Sequence, residues 1–151
     1  MKKKQKEKRR VHTAFFILLV AAVMLFIFSR SLADQESSGE ESRRVMELIR
    51  PVLAFLIGGE NVTLHLVRKL AHLTEFCVLG VSLSVLSCRL GRKSVPWTIL
   101  TAVLTALSDE TIQIFTGRGP SVTDVWIDVS GAAIGMLLVA VIAALARRRK
   151  A

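Results

Sequence analysis

Four long apolar stretches divide this chain, and they restrict its fold more than any other feature. They cover residues 11–28, 66–88, 95–115 and 125–146. A bilayer core of about 30 Å is crossed by roughly 20 helical residues, so each stretch has the length of one membrane-spanning helix. The pattern therefore predicts an all-α integral membrane protein, with a bundle of four transmembrane helices.

Most of the net charge of the chain lies in its two tails. The formal net charge is +9, and residues 1–10 hold seven Lys or Arg against one Glu. Four more basic residues occupy positions 147–150, which leaves the body of the chain slightly acidic. A nucleic-acid-binding protein instead carries basic residues on a folded face, with aromatic side chains that stack on bases. The distribution excludes nucleic acid as a partner and predicts the lipid bilayer.

The basic residues also predict the orientation, because Lys and Arg collect on the cytoplasmic side of a membrane. A cytoplasmic tail at residues 1–10 places residues 29–65 outside. The loop at residues 89–94 has three Lys or Arg and returns to the inside, as does the tail at residues 147–151. We predict a multi-pass protein of the cell membrane with both termini cytoplasmic, in which the two tails flank a transmembrane domain of residues 11–146.

The first stretch admits a second interpretation. A basic start, an apolar core and the small residues Ser31 and Ala33 around Leu32 also resemble a secretory signal with its cleavage site. Cleavage would remove one span and leave the orientation of the other three unchanged.

The outside segment predicts one additional helix. Residues 34–41 are polar and acidic, and we expect a loop there. Residues 45–56 then show the apolar spacing of an amphipathic helix, which would lie in the outer interface or pack on the bundle. Pro51 predicts a kink or break in that helix, and Gly58 with Gly59 predicts its end.

Ionisable side chains collect toward the predicted outer ends of three stretches. Arg68, His72 and Glu75 share one helix face, and so do Asp109 and Gln113. At about 1.5 Å per residue, these side chains reach a similar depth below the outer surface. Charge at that depth costs free energy and indicates function. The predicted site comprises Arg68, His72, Glu75, Asp109, Glu110, Gln113, Arg118, Asp124 and Asp128.

The structural interpretation of the same residues stays open. Arg68 and Lys69 could extend toward lipid headgroups, and Asp124 could serve only as a helix N-cap. The remaining acids could form a buried ion-pair network that fixes the register of the helices.

The same residues resemble the signature of the VanZ-like membrane proteins. One motif, RKxxHxxEFxxLG, begins at Arg68, and a second runs from Asp109 to Gly131. The resemblance covers residues 11–146 and implies a protein associated with resistance to glycopeptide antibiotics, teicoplanin in particular. Such antibiotics act on cell-wall precursors at the outer membrane face. Asp128 departs from the pattern, in which Asn is expected.

Three functions are compatible with this pattern. In the first, an anionic lipid or a lipid-linked cell-wall precursor binds to Arg68, Arg118 and Lys69, since guanidinium groups bind two phosphate oxygens at once. The acids hold these arginines in place, and the candidate binding residues are Arg68, Gln113, Arg118, Asp124 and Asp128. In the second, an intramembrane hydrolase or transferase acts on a lipid phosphate through the candidate catalytic residues His72, Glu75, Asp109 and Glu110. No cofactor is predicted, although these side chains could hold a divalent metal. A transporter is disfavoured because the cytoplasmic halves carry no polar path.

Overall fold

The computed structural model describes residues 2–33, 35–91, 95–117 and 121–149. Within these ranges the chain is all-α, as predicted. It forms α1 (Lys2–Ser31), α2 (Gln35–Ile57), α3 (Leu64–Leu90), α4 (Val95–Phe115) and α5 (Val122–Arg148). A short 3-10 turn, Gly59–Asn61, joins α2 to α3.

Three of the five helices are long and apolar enough to cross a membrane. They are α1, over its portion Arg10–Ser31, together with α3 and α5. The protein is therefore a multi-pass membrane protein. The third predicted stretch is helical over the predicted residues as α4, but this helix is not among the three. Its Asp109 and Glu110 lower its mean hydropathy, and the count of four spans stays a prediction.

The outer helix α2 differs from the sequence prediction at its start. Of the segment 34–41, Asp34 lies outside the described residues, and the rest is helical from Gln35 onward instead of a loop. Glu36 lies in the first turn, where the helix dipole favours an acid, and Glu41 pairs with Arg30 of α1. These two electrostatic contacts favour helix in a segment whose composition is typical of a loop.

Pro51 does not break α2, which continues to Ile57. Proline removes one backbone hydrogen bond, and here the side chain is exposed, away from the packed side of the helix. The predicted end is confirmed, because Gly58 has a φ of +86° that other residues rarely adopt. The predicted apolar stripe is exposed, with Leu48 at 80% and Leu56 at 66%.

Helices α3 and α5 form the centre of the bundle and touch backbone to backbone. Gly131 of α5 lies against the carbonyl of Leu73, and Gly135 lies against the carbonyl of Cys77. A Cβ at either glycine would collide with α3, and the spacing of four residues between Gly131 and Gly135 is typical of such a close approach of two membrane helices. The contacts advance in the same direction along both helices, and α3 and α5 therefore run parallel.

Apolar side chains from four helices fill the space around this pair. Small residues on α4 and α5 face larger ones on α1 and α3, which allows close packing. The buried core consists of Val20, Ile27, Phe76, Leu79, Leu83, Ala102, Ala106 and Ala132. At one end of this core the side chains become polar, and the candidate site lies there.

Candidate functional site

The C-terminal ends of α1 and α4 meet the N-terminal ends of α3 and α5 at one end of the bundle. Each helix brings polar side chains to this point, and α2 adds Ser38, which is 3% exposed. The polar cluster, as the term is used below, comprises Arg30, Ser31, Ser38, Arg68, Lys69, His72, Glu75, Asp109, Glu110, Gln113, Asp124 and Asp128.

His72 lies at the centre of the polar cluster between two acids. Its Nδ1 is 3.2 Å from Oδ1 of Asp128 and 3.7 Å from Oδ2 of Asp109. Both acids are 0% exposed, and the His72 side chain is 12% exposed. His72 on α3 thus contacts a fully buried acid on each of the two neighbouring helices, α4 and α5. An imidazole in this position can accept or donate a proton or bind a metal ion.

Asp109 is held in place by donors on either side. The Ser31 hydroxyl of α1 donates a hydrogen bond to Oδ1, and Nε2 of Gln113 donates to Oδ2 at 2.9 Å. The Thr116 hydroxyl is 3.2 Å from the backbone carbonyl of Ser31 and ties the same two helix ends together. A carboxylate fixed by two donors has a defined orientation, which a binding site requires.

Two further acids of the polar cluster, Asp124 of α5 and Glu110 of α4, have partners near the start of α5. Lys69 lies 3.5 Å from Asp124, and Oε2 of Glu110 accepts a hydrogen bond from the backbone N–H of Ser121 at 2.9 Å. Oε1 of Glu110 and Oδ2 of Asp128 are buried without a hydrogen-bond partner among the described residues. Unpartnered buried carboxylate oxygens are rare, and they indicate a site for a donor or a cation.

Arg30 joins α1 to two acids on other helices. Its Nε is 4.0 Å from Oε1 of Glu75, and it also contacts Glu41 of α2. Arg30 is not among the predicted site residues, because a basic residue that ends an apolar stretch is also typical of a headgroup anchor. Ser31 is predicted as part of a cleavage site and Ser38 as part of a loop, and neither is predicted as a site residue. The acid partners of Arg30 and Ser31 are at least 11 residues away, so no local spacing reveals them.

A small polar cavity and an apolar groove meet at Glu75. The cavity has a volume of about 20 Å³, space for about one water molecule, and Arg30, Arg68 and His72 also line it. The groove has a volume of about 380 Å³ and lies between α1 and α3, where Phe26 and Val78 line it. Arg68 makes no hydrogen bond or ion pair with the residues that the structure describes.

The structure brings most of the predicted site residues into one place. Arg118 is the exception, since it lies outside the described residues, and Arg68 lines the adjoining cavity rather than the centre. The roles predicted for these residues, catalytic or binding, stay predictions. The residues that do come together are His72, Glu75, Asp109, Glu110, Gln113, Asp124 and Asp128.

A second, apolar cavity lies near the opposite end of the bundle. It has a volume of about 600 Å³ and lies between α3, α4 and α5, lined by Thr98, Ala102, Met136 and their neighbours. Its walls carry no acid or histidine among the described residues, so it offers space without the chemistry of the polar cluster.

Comparison with known proteins gives one match. A family model described as VanZ/LLP1 matches residues 14–143. No curated protein and no solved structure matches the chain significantly. The matched span contains every residue of the polar cluster.

Proposed function

The chain belongs to the VanZ/LLP1 family, and on this basis we propose that it is an integral protein of the cell envelope whose polar cluster binds an anionic lipid or a lipid-linked cell-wall precursor. The observation that carries the proposal is the meeting of an arginine-lined cavity and an apolar groove at Glu75. A lipid phosphate needs both environments side by side, one for its head and one for its chain.

The apolar groove supplies the site for the chain of such a lipid. Its walls come from α1 and α3, and Ala22, Val23, Phe26 and Val78 make them almost entirely apolar. Phe26 is 54% exposed and Val78 is 49% exposed, so the groove opens on the side of the bundle that faces the bilayer. A hydrocarbon chain could enter from the membrane without crossing water.

The polar head would be bound by Arg30 and Arg68, which line the adjoining cavity. Because the cavity has space for only about one water molecule, these two side chains would move apart to admit a phosphate. Arg68 has no ion-pair partner among the described residues, which leaves its guanidinium available for an incoming anion. Arginine binds phosphate through two parallel N–H donors, a geometry that lysine lacks. Glu75 lies 4.0 Å from Arg30 and would hold that side chain toward the cavity.

Four membrane spans, with both termini in the cytoplasm, form part of this proposal. Because α3 and α5 run parallel, the chain must return across the bilayer between them. Helix α4 connects the two, and its 21 residues extend about 31 Å. Its acidic end faces the bundle, where Asp109 and Glu110 are 0% and 6% exposed, so α4 can span the membrane despite these charges.

The amphipathic helix α2 would lie in the outer interface. Its apolar residues Leu48, Val52 and Phe55 are at least 63% exposed, and the described parts of the bundle do not cover them. An exposed apolar stripe of this kind is stabilised at the boundary of headgroups and acyl chains. Ser38 and Glu41 at the start of the same helix would then cover the outer side of the polar cluster.

Family resemblance associates the proposed function with teicoplanin resistance. The teicoplanin susceptibility of a sensitive Gram-positive host that expresses the protein tests this association. The host would carry wild type, Glu75→Gln, Asp109→Asn or the control Glu47→Gln, at matched levels in the membrane. Glu47 is an exposed acid of α2 outside the polar cluster. We expect wild type and the control to protect, and the two cluster variants to lose protection. Equal protection by all four would contradict a role for the polar cluster.

A second candidate function is an intramembrane hydrolase or transferase acting on a lipid phosphate. The position of His72, with Nδ1 at 3.2 Å from Asp128 and 3.7 Å from Asp109, favours it, because an acid beside an imidazole orients a general acid or base. Release of phosphate from a polyprenyl phosphate by purified protein, abolished in His72→Gln, would support this function. No turnover by well-folded wild type would leave binding as the function.

A further inference from the structure

We propose that His72, Asp109 and Asp128 form the binding site of one divalent transition-metal ion. One donor atom from each side chain lies within 4.8 Å of the others. These three residues come from three different helices, so the site exists only in the folded bundle. The proposal is independent of lipid binding, and its test does not use a lipid.

The distances between the donor atoms fit a shared metal ion. Zinc binds nitrogen and carboxylate oxygen at about 2.0–2.2 Å, which places neighbouring ligands of a tetrahedral ion roughly 3.4 Å apart. Nδ1 of His72 lies 3.2 Å from Oδ1 of Asp128 and 3.7 Å from Oδ2 of Asp109. The two values lie on either side of the tetrahedral spacing.

Asp128 supplies an independent indication that a cation belongs here. The residue is 0% exposed, and its Oδ2 has no hydrogen-bond partner among the described residues. Among the described residues, Asp128 has one hydrogen-bond partner, the imidazole of His72, which contacts the other oxygen. A buried carboxylate with an unpartnered oxygen is costly unless a charge compensates it. A metal ion would compensate both carboxylates of the site.

The surroundings of Asp109 resemble the outer sphere of a metal site. Metal-ligating carboxylates are usually fixed by hydrogen bonds from neighbouring residues, which orient them toward the ion. Ser31 donates to Oδ1 of Asp109, and Gln113 donates to Oδ2 at 2.9 Å. A carboxylate oxygen has two lone pairs, so an oxygen that accepts a hydrogen bond can also coordinate a metal ion.

The donor set selects the class of ion. An imidazole favours zinc and its neighbours in the first transition row, whereas Mg²⁺ and Ca²⁺ prefer an all-oxygen site. One histidine and two carboxylates therefore indicate Zn²⁺ or Mn²⁺. Three protein ligands also leave at least one coordination position, which a water molecule or a phosphate oxygen could occupy.

Metal binding by the full chain in lipid nanodiscs tests the proposal. After removal of metal with a chelator, Zn²⁺ and Mn²⁺ are titrated into wild type, His72→Gln and Asp128→Asn. We expect about one ion per chain for wild type and a loss of that ion in both variants. Ser31→Ala and Gln113→Ala should weaken binding about 10- to 100-fold, as expected for outer-sphere partners.

Two controls separate a metal site from attraction to negative charge. Glu60→Gln and Glu47→Gln each remove an exposed acid that lies outside the polar cluster. Both should bind metal as wild type does. Absence of stoichiometric binding by wild type would overturn the proposal, and so would equal losses in Glu60→Gln and His72→Gln.

A spectroscopic measurement on wild type keeps the proposal testable if the ligand variants do not fold. Electron paramagnetic resonance of bound Mn²⁺ reports a directly coordinated nitrogen through its hyperfine coupling. We expect one histidine nitrogen in this spectrum. A spectrum without nitrogen coupling would mean that the ion binds elsewhere, and it would overturn the site.

Discussion

The hydroxyl of Ser31, the last residue of α1, donates a hydrogen bond to the fully buried carboxylate of Asp109 on α4, across 78 residues of sequence. Thr116 contacts the backbone carbonyl of Ser31 and strengthens the same junction. The first apolar helix thus supplies part of the polar cluster, and retention of α1 in the mature protein is a requirement of the proposed function.

Replacement of Ser31 by Ala should therefore destabilise the bundle by about 1–3 kcal/mol, because a buried carboxylate oxygen loses a donor. Thermal unfolding in detergent measures the change. Ser29→Ala is the matched control, since the Ser29 hydroxyl is exposed and, among the described residues, donates its hydrogen bond to the Phe26 carbonyl of its own helix. Its effect should stay within about 0.5 kcal/mol. Equal effects of the two substitutions would contradict the importance of the junction.

Replacement of Gly135 by Ala should separate α3 from α5. The new Cβ would overlap the Cys77 carbonyl and lie 2.8 Å from the backbone nitrogen of Val81, and a backbone cannot move aside as a side chain can. Overpacking of this kind costs about 1–3 kcal/mol. The midpoint of thermal unfolding should fall accordingly.

Gly39→Ala is the control for this substitution. Gly39 lies within α2, and apart from its chain neighbours and its own helix backbone no described atom lies within 4 Å of an added Cβ, so alanine should stabilise that helix by about 0.4–1 kcal/mol. Opposite signs for the two substitutions are expected. A loss of stability at both positions would mean that contact with α3 is not the cause at Gly135.

Labelling of single cysteines tests the proposed four spans. In a background with the free cysteines Cys77 and Cys88 replaced by Ser, Glu60→Cys and Val122→Cys should react with a membrane-impermeant maleimide in intact cells. Arg148→Cys should react only after permeabilisation. If Glu60→Cys and Val122→Cys react from opposite sides of the membrane, α4 does not cross the bilayer.

Replacement of Arg68 by Lys should weaken binding of a polyprenyl phosphate in nanodiscs. Lysine keeps the charge but loses the paired donors, and one charge-assisted hydrogen bond corresponds to roughly a tenfold change in affinity. Arg43→Lys, on an exposed position of α2, should bind as wild type does. Unchanged affinity in Arg68→Lys would rule out recognition of phosphate through both nitrogens of this guanidinium.

The sequence predicts the apolar elements well, because hydrophobic length and helical spacing are local properties. The bounds of α4 agree with the prediction, and α3 begins and ends within two residues of it. His72, Glu75 and Asp109 could be proposed as a site because each is an ionisable residue in an apolar stretch. Such a residue is conspicuous in any single sequence.

Tertiary contacts explain what the sequence could not predict. Arg30 and Ser31 belong to the site because α1 ends beside α4, and nothing in the first stretch encodes that neighbour. The start of α2 has the composition of a loop, but it is helical where Glu41 meets Arg30 and Ser38 is buried. In each case the partner is at least 11 residues away, beyond the reach of helical periodicity.

The parallel packing of α3 on α5 has a consequence for the order of biogenesis. His72 enters the bilayer with α3, whereas its partner Asp128 follows 56 residues later on α5. A ribosome adds about 5–20 residues per second, so the two side chains are apart for several seconds. Until α5 arrives, His72 on α3 lacks the acid that contacts it most closely. A chain truncated before α5 should therefore be a substrate for membrane quality control, although α1 and α3 are apolar enough to cross a membrane.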